Sequence, residues 1–179
     1  MSSSNKALCA IALVSLFALP ELALSQDIPG WYLGFGIGES KFKDACCDNT
    51  DTAGKFLGGY QFSKNFDLEV AYADLGQAKA GNSTFGAKGL EFAGVGMLPI
   101  GNKFSLLARG GLFHWKVDTT APSTSASGTD LTLGLGLKFD FNRDFSIRGE
   151  WQRYKDVGDL NKTGQTDVDF IGASLVYRL

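Results

Sequence analysis

The chain has 179 residues, of which 23 are Gly and 4 are Pro, with 17 basic against 19 acidic side chains and a single His. A net charge of −2 without a Lys/Arg-rich block leaves no electrostatic footprint for nucleic acid, and that partner class is excluded. Gly is nearly twice its usual share of about 7% while Pro is scarce and charge ordinary, so the excess reflects neither collagen nor disorder and must serve structure. Beyond the first 25 residues no apolar run approaches the ~18 needed for a spanning helix, and any passage through a membrane would have to be made by strands.

The N-terminus reads as an address. Lys6 precedes the apolar run from Ala7 to Leu19, and Ala23-Leu24-Ser25 offers small residues for cleavage before Gln26. The expected organisation is a cleaved secretory signal peptide over 1–25 and one domain over 26–179. Cys9 lies inside the apolar run with no small-residue pair leading to it, so a lipoprotein anchor is not expected.

From Gly30 onward the apolar period is two. The segment Leu131 to Phe141 is the clearest: Leu and Phe on one face, Thr132, Gly134, Gly136, Lys138 and Asp140 on the other. The other expected strands are Trp31–Lys43, Gly54–Phe62, Phe66–Leu75, Phe85–Leu98, Lys103–Lys116, Phe145–Lys155 and Asp167–Leu179. Tight connections at 63–65, 99–102 and 142–144 alternate with polar stretches at 44–53, 76–84, 117–128 and 156–166, which are read as loops. Eight strands with that alternation predict an all-β fold: an antiparallel up-and-down transmembrane β-barrel with short periplasmic turns and longer extracellular loops. The prolines fall outside strand interiors, as such a barrel requires.

Aromatic residues cluster at the tight-turn ends. Phe62 and Phe66 flank the first turn, Phe104 follows the second, Phe141 and Phe145 flank the third, and Trp31 and Tyr177 stand at the terminal strand ends. They are expected to form a girdle at the headgroup level. The opposite parity carries Lys55, Glu69, Glu91, Arg109, Lys138, Asp140, Arg148, Glu150 and Arg178. An eight-stranded interior is just wide enough to be filled by side chains, so these charges must pair inside it. Gly34, Gly36, Gly59, Gly111, Gly134, Gly136 and Gly172 on that face would make room for them. A soluble lipocalin-type barrel would invert the faces; export, the aromatic ring and the glycine-rich polar face favour the membrane form.

Gly30-Trp31-Tyr32-Leu33-Gly34, Gly58-Gly59-Tyr60-Gln61-Phe62, Leu68-Glu69-Val70-Ala71-Tyr72, Ala108-Arg109-Gly110-Gly111 and the ending Val176-Tyr177-Arg178-Leu179, in that order, resemble the OmpA-like transmembrane β-barrel family over the whole mature chain. The resemblance implies a bacterial outer membrane location and a core ion network of Glu69, Arg109, Lys138, Arg148 and Glu150, to which parity adds Glu91. Barrels of this family usually end in Phe. Here Leu179 stands last, and Tyr177 and Leu179 are expected to carry a weakened signal for the assembly machinery. No peptidoglycan-binding domain is expected after strand eight, and cell-wall tethering is not carried over.

Some small outer-membrane barrels act on lipid A, which requires a nucleophile and a base within reach of each other. His114 lies near the external end of strand five with its parity towards lipid beside Trp115, and no Ser or Thr stands two positions away on that face; no enzyme activity or cofactor is expected. Cys46 and Cys47 are adjacent, so a disulfide between them would be strained. Solvent-facing thiols, a strained vicinal bridge, or a metal site with Asp44, Asp48 and Asp51 remain open there, the last behind the others. The expected function is structural, contributing to envelope integrity. The alternatives are a surface adhesin acting through its loops, or a small pore. Expected partners are outer membrane lipids or lipopolysaccharide, the assembly machinery and host or surface ligands at the loops, around a monomeric barrel.

Overall fold

The computed structural model describes residues 29–43, 49–80, 83–120, 123–159 and 164–179. The expected signal peptide, Cys9, Cys46 and Cys47 lie outside the described residues. The strands are β1 (Gly30–Phe42), β2 (Asn49–Ser63), β3 (Phe66–Ala80), β4 (Ser83–Pro99), β5 (Phe104–Thr120), β6 (Ser123–Asp140), β7 (Phe145–Asp159) and β8 (Gly164–Arg178). Each pairs antiparallel with the next, and β8 pairs with β1 from Tyr32↔Arg178 to Phe42↔Val168, closing the barrel in chain order. Closure leaves no edge strand, the condition for a sheet in hydrocarbon.

Both described chain ends and the three tight turns share one end. Asn142 makes the turn before β7, its Oδ1 accepting from the backbone N–H of Asp144 at 2.9 Å and of Phe145 at 2.8 Å. Asn65 makes the one before β3, its side-chain amide donating to Met97 O at 2.8 Å.

At the opposite end the structure corrects the expected loops. Most of the polar stretches are strand: β2 starts at Asn49, β3 runs to Ala80, and the ladder of β5 and β6 continues through Val117↔Ala126 to Thr120↔Ser123. Residues 117–120 and 123–128 are therefore paired strand, not loop. Small and hydroxylated residues are acceptable in a ladder already begun by its neighbours, yet they lack the apolar alternation that marks a strand from sequence.

The two faces change character along the barrel. Near the tight turns and through the middle, the outward face is apolar: Trp31, Leu33, Phe35 and Ile37 on β1, and Leu131, Leu133, Leu135 and Leu137 on β6 are all exposed. From Leu131 to Phe139 is about 26 Å along the strand, or about 20 Å along the axis at a tilt near 40°. Beyond that band the outward positions turn polar, with Glu39 and Lys41 on β1, Asp74 on β3, Lys88 on β4 and Lys116 and Asp118 on β5. The interior turns the other way, and a plug including Phe42, Leu75, Phe113, Trp115, Val117, Tyr154, Val157, Val168 and Phe170 fills the far half of the lumen.

Inward glycines are set by this packing. A Cβ on Gly111 would lie 2.1 Å from Phe92 O, one on Gly59 2.4 Å from the Tyr32 ring, and one on Gly134 2.9 Å from both Arg109 and Trp151 O. Gly76, at φ 73°, lies in the bulge of β3 between Asp74 and Gln77, and Asp156, at φ 55°, in that of β7 between Tyr154 and Val157, both at the far end. Outward Gly149 meets nothing within 4 Å. We therefore expect Gly134→Val to lower the unfolding midpoint of the folded barrel in detergent by several degrees or to prevent folding, while Gly149→Val leaves it within error. Equal effects in the two variants would contradict the packing account.

Candidate functional site

The alternation of the six strands from β2 to β7 brings four buried cations, Lys55, Arg109, Lys138 and Arg148, together with four buried anions, Asp67, Glu69, Glu91 and Glu150. Arg109 is the hub. Its Nη2 donates to Glu69 Oε1 at 2.6 Å and lies 2.8 Å from Glu91 Oε1, while Nη1 reaches Glu150 Oε1 at 3.2 Å. Arg148 donates to Glu69 Oε2 at 2.8 Å, lies 3.5 Å from Asp67, and sits 4.9 Å over the Tyr32 ring. Lys55 pairs with Glu91 at 3.3 Å and donates to Gln152 Oε1 at 2.9 Å, whose amide donates in turn to Thr132 at 2.7 Å. Tyr32 and Tyr154 donate their hydroxyls to Glu69 and Glu91 at 3.1 and 3.2 Å.

Lys138 is set apart, pairing with half-exposed Asp140 at 2.9 Å, and Arg178 donates to Gln61 near the mouth. At that mouth a cavity of about 20 Å³, room for one water, lies among Gln61, Lys138, Arg143, Asp144 and Arg178. Sequence parity therefore gathers Glu69, Glu91, Arg109, Arg148 and Glu150 in one cluster, with Lys138 on its margin. It missed Asp67, although Phe66 and Leu68 alternate about it as Leu68 and Val70 do about Glu69. It also missed Tyr32, Thr132, Gln152 and Tyr154, whose parity is the same but whose side chains carry no charge to draw notice.

The outward aromatics form edge-on and tilted chains around the tight-turn end. Trp31 packs on Tyr60 at 5.1 Å, Tyr60 on Phe62 at 4.8 Å and Phe62 near Phe66 at 6.1 Å. Phe104 and Phe141 are linked through Phe139, and Phe145 packs on Tyr177 at 4.8 Å. Tyr60 and Phe139 are the members that sequence did not name. Leu179, exposed at the same end, donates its backbone N–H to Trp31 O at 2.9 Å.

Two readings around His114 change. Trp115 is not its outward neighbour but turns inward, its indole N–H donating to Asp130 at 2.7 Å. The hydroxyl sought along β5 comes instead from the next strand, where Thr129 Oγ1 lies 2.8 Å from His114 Nδ1. Asp51, weighed as a metal ligand, instead accepts from the backbone N–H of Thr52 at 2.8 Å and of Gln77 at 2.6 Å.

An apolar outer band, a charged middle lumen and a closed antiparallel ladder agree with the comparisons. The outer membrane protein beta-barrel domain matches residues 9–178. The chain belongs to that family. Outer membrane protein A of Yersinia pseudotuberculosis is 25% identical over 94% of this chain and 53% of its own length, so the chain spans about half of that relative. Among solved structures, neisserial surface protein A superposes with a TM-score of 0.67 at 14% identity, over 84% of this chain and 97% of that one. Ail, the attachment invasion locus protein of Yersinia pestis, superposes with a TM-score of 0.59 at 19% identity, over 85% of this chain and all of that one. Family and relatives place the protein in the bacterial outer membrane, with the tight turns periplasmic and the polar hairpins external.

Within this barrel Glu69 bridges both buried guanidinium groups, so removing it takes a short-range partner from each and leaves Arg148 with only Asp67 at 3.5 Å, whereas Asp67 meets only Arg148 and at longer range. Glu69→Ala is expected to cost about 3–5 kcal/mol in urea unfolding from detergent. Asp67→Asn should cost clearly less. A loss for Asp67→Asn as large as that for Glu69→Ala would remove Glu69 from the centre of the network.

Proposed function

We propose that the protein is a structural, non-enzymatic barrel of the outer membrane that contributes to envelope integrity. The observation that carries this reading is the filled lumen: the charge cluster around Arg109 lies below an apolar plug, and a path through the barrel would have to cross both. That arrangement also argues against a pore. In this reading Glu69, Glu91, Arg109, Lys138, Arg148 and Glu150 form the ion network that ties strands together across the interior. Trp31, Phe62, Phe66, Phe104, Phe141, Phe145 and Tyr177 anchor the periplasmic edge, Tyr177 and Leu179 address the assembly machinery, and outer membrane lipids are the principal partners.

Catalysis is disfavoured by what surrounds the single histidine. His114 and Thr129 are in contact, but Asp130, the adjacent carboxylate on β6, is engaged by Trp115, which leaves the imidazole without an orienting acid from that quarter.

A second reading, attachment to surfaces through the external ribbons, is favoured by the continuation of the β5–β6 ladder to Thr120↔Ser123, well beyond the apolar band. Ail of Yersinia pestis has been solved with the heparin analogue sucrose octasulfate. The two readings separate in one genetic experiment. Deleting the gene should increase detergent sensitivity and leakage of periplasmic proteins. Both the native chain and a variant with Thr119–Thr124 replaced by a tight turn should restore the barrier. Unchanged barrier function on deletion would refute the structural role, and loss of binding to host cells or matrix in the trimmed variant would establish attachment instead.

A further inference from the structure

At the tight-turn mouth of the lumen the pairing of interior charges falls short. Lys138 on β6 and Arg148 on β7 are direct cross-strand partners, both inward and both more than nine-tenths buried. Like charges directly opposite repel in an antiparallel pair, and removal from water strengthens the repulsion. Arg148 is compensated by Glu69 at 2.8 Å and Asp67 at 3.5 Å. Lys138 has one carboxylate within ion-pair distance, Asp140 Oδ1 at 2.9 Å, and that side chain is 37% exposed, so water shares its charge. An ammonium group carries three donors, and two of these are left without a protein acceptor among the described residues.

The groups that surround Lys138 are donors as well. The cavity of about 20 Å³ at the mouth is bounded by Lys138, by the hydroxyl-bearing Ser146 of β7 and by Arg178 of β8. Ser146 is 5% exposed and points into the lumen opposite Asp140 and Val176, and its Oγ has no hydrogen-bond partner among the described residues. Arg178 donates through Nη2 to Gln61 Oε1 and keeps its other N–H groups. The acceptors are already engaged or turned to water: Gln61 Oε1 by Arg178, Asp140 by Lys138, while Asp144 is exposed in the turn before β7.

Two features of the lining select the occupant. With Arg148 committed to Glu69 and Asp67, the cavity is lined by three further cations, Lys138, Arg143 and Arg178, against two carboxylates, Asp140 and Asp144, which leaves one positive charge in excess. A water molecule would bring two hydrogens that themselves need acceptors, whereas an anion only accepts. The space admits a body the size of one water, which suits a single-atom anion and is too small for phosphate or a substituted carboxylate.

We propose that the periplasmic mouth holds one chloride-sized anion, which accepts from Lys138 Nζ, Ser146 Oγ and the Arg178 guanidinium. Held there, it links β6, β7 and the closing strand β8 across the end of the lumen and offsets the Lys138–Arg148 repulsion. The proposal does not rest on the structural role proposed above.

The test uses the full chain, folded into phosphatidylcholine nanodiscs and checked for its heat-modifiable band on gels. Chloride is exchanged for gluconate, which is too large for the cavity, at constant ionic strength. The excess width of the chloride magnetic resonance line and the unfolding midpoint are both read. The native chain should give broadening that saturates at one chloride per barrel and is displaced by bromide, with a higher midpoint in chloride than in gluconate. Lys138→Gln and Arg178→Gln should each weaken binding about tenfold, the effect of losing one hydrogen bond to a charged group, and Ser146→Ala should weaken it less. Lys103→Gln removes a cation from the turn before β5 that does not line the cavity, and should bind as the native chain does. Should Lys138→Gln fail to fold, Arg178→Gln and Ser146→Ala decide the matter. Broadening that never saturates, or that the folded variants leave as in the native chain, overturns the proposal. An equal loss in Lys103→Gln would reduce the effect to the general positive charge of this end and remove the site. Phosphate displacing chloride more strongly than bromide would assign the mouth to larger oxyanions and overturn the single-atom anion. None of these readouts depends on the barrier phenotype, so failure here is distinct from failure of the structural role.

Discussion

A strand in hydrocarbon must satisfy every backbone donor and acceptor within the sheet, and the closed ladder from β1 back to β1 does so for this chain. Everything else follows from what closure leaves over. Eight strands enclose a space only as wide as the side chains that fill it. Polar groups excluded from the outward band have only that space to occupy. An isolated ion there would cost more than the fold can supply, so the interior charges are balanced, four against four, and arranged so that one guanidinium, Arg109, touches three carboxylates.

The barrel meets two solvents, and its interior changes where its surroundings do. Around the middle, lipid-facing Leu, Phe and Ile surround a charged lumen. Towards the external end, outward Lys, Asp and Thr surround a lumen of Phe42, Phe113, Trp115, Val157 and Phe170. The external half thus follows the rule of a water-soluble barrel and the buried half its inverse, on the same continuous strands. The membrane form and the lipocalin-type inversion, rivals when the sequence is read alone, occupy successive levels of one molecule.

That division explains what was legible beforehand. Where hydrocarbon lies outside and charge inside, alternation is strong, and Glu69, Arg109 and Arg148 can be assigned to the lumen from parity, as can Phe62, Phe141 and Tyr177 to the outer ring. Where water lies outside and small apolar residues inside, as in Ser125-Ala126-Ser127-Gly128, alternation is faint and strand reads as loop. Trp115 shows the same blindness. It shares parity with Arg109, but an aromatic at a strand end suggests an interface until its neighbours Val117 and Ala126 show that a second core begins there. Contacts across the lumen, such as Tyr154 with Glu91 or Lys55 with Gln152, depend on strand stagger, which no single strand encodes.

Glycine ties these levels together and separates two kinds of selection. Inside, Gly59, Gly111 and Gly134 are the only residues that fit, because a Cβ would collide with Tyr32, the Phe92 carbonyl or the Arg109 stem. Their absence of side chain is the space that the large buried groups occupy. Outside, a Cβ on Gly94, Gly96 or Gly110 would meet only ordinary van der Waals contacts. Packing of the protein against itself gives no reason for those three, whereas packing against something else does. The interior glycines belong to the fold, and the exterior ones are better assigned to its contact with the membrane.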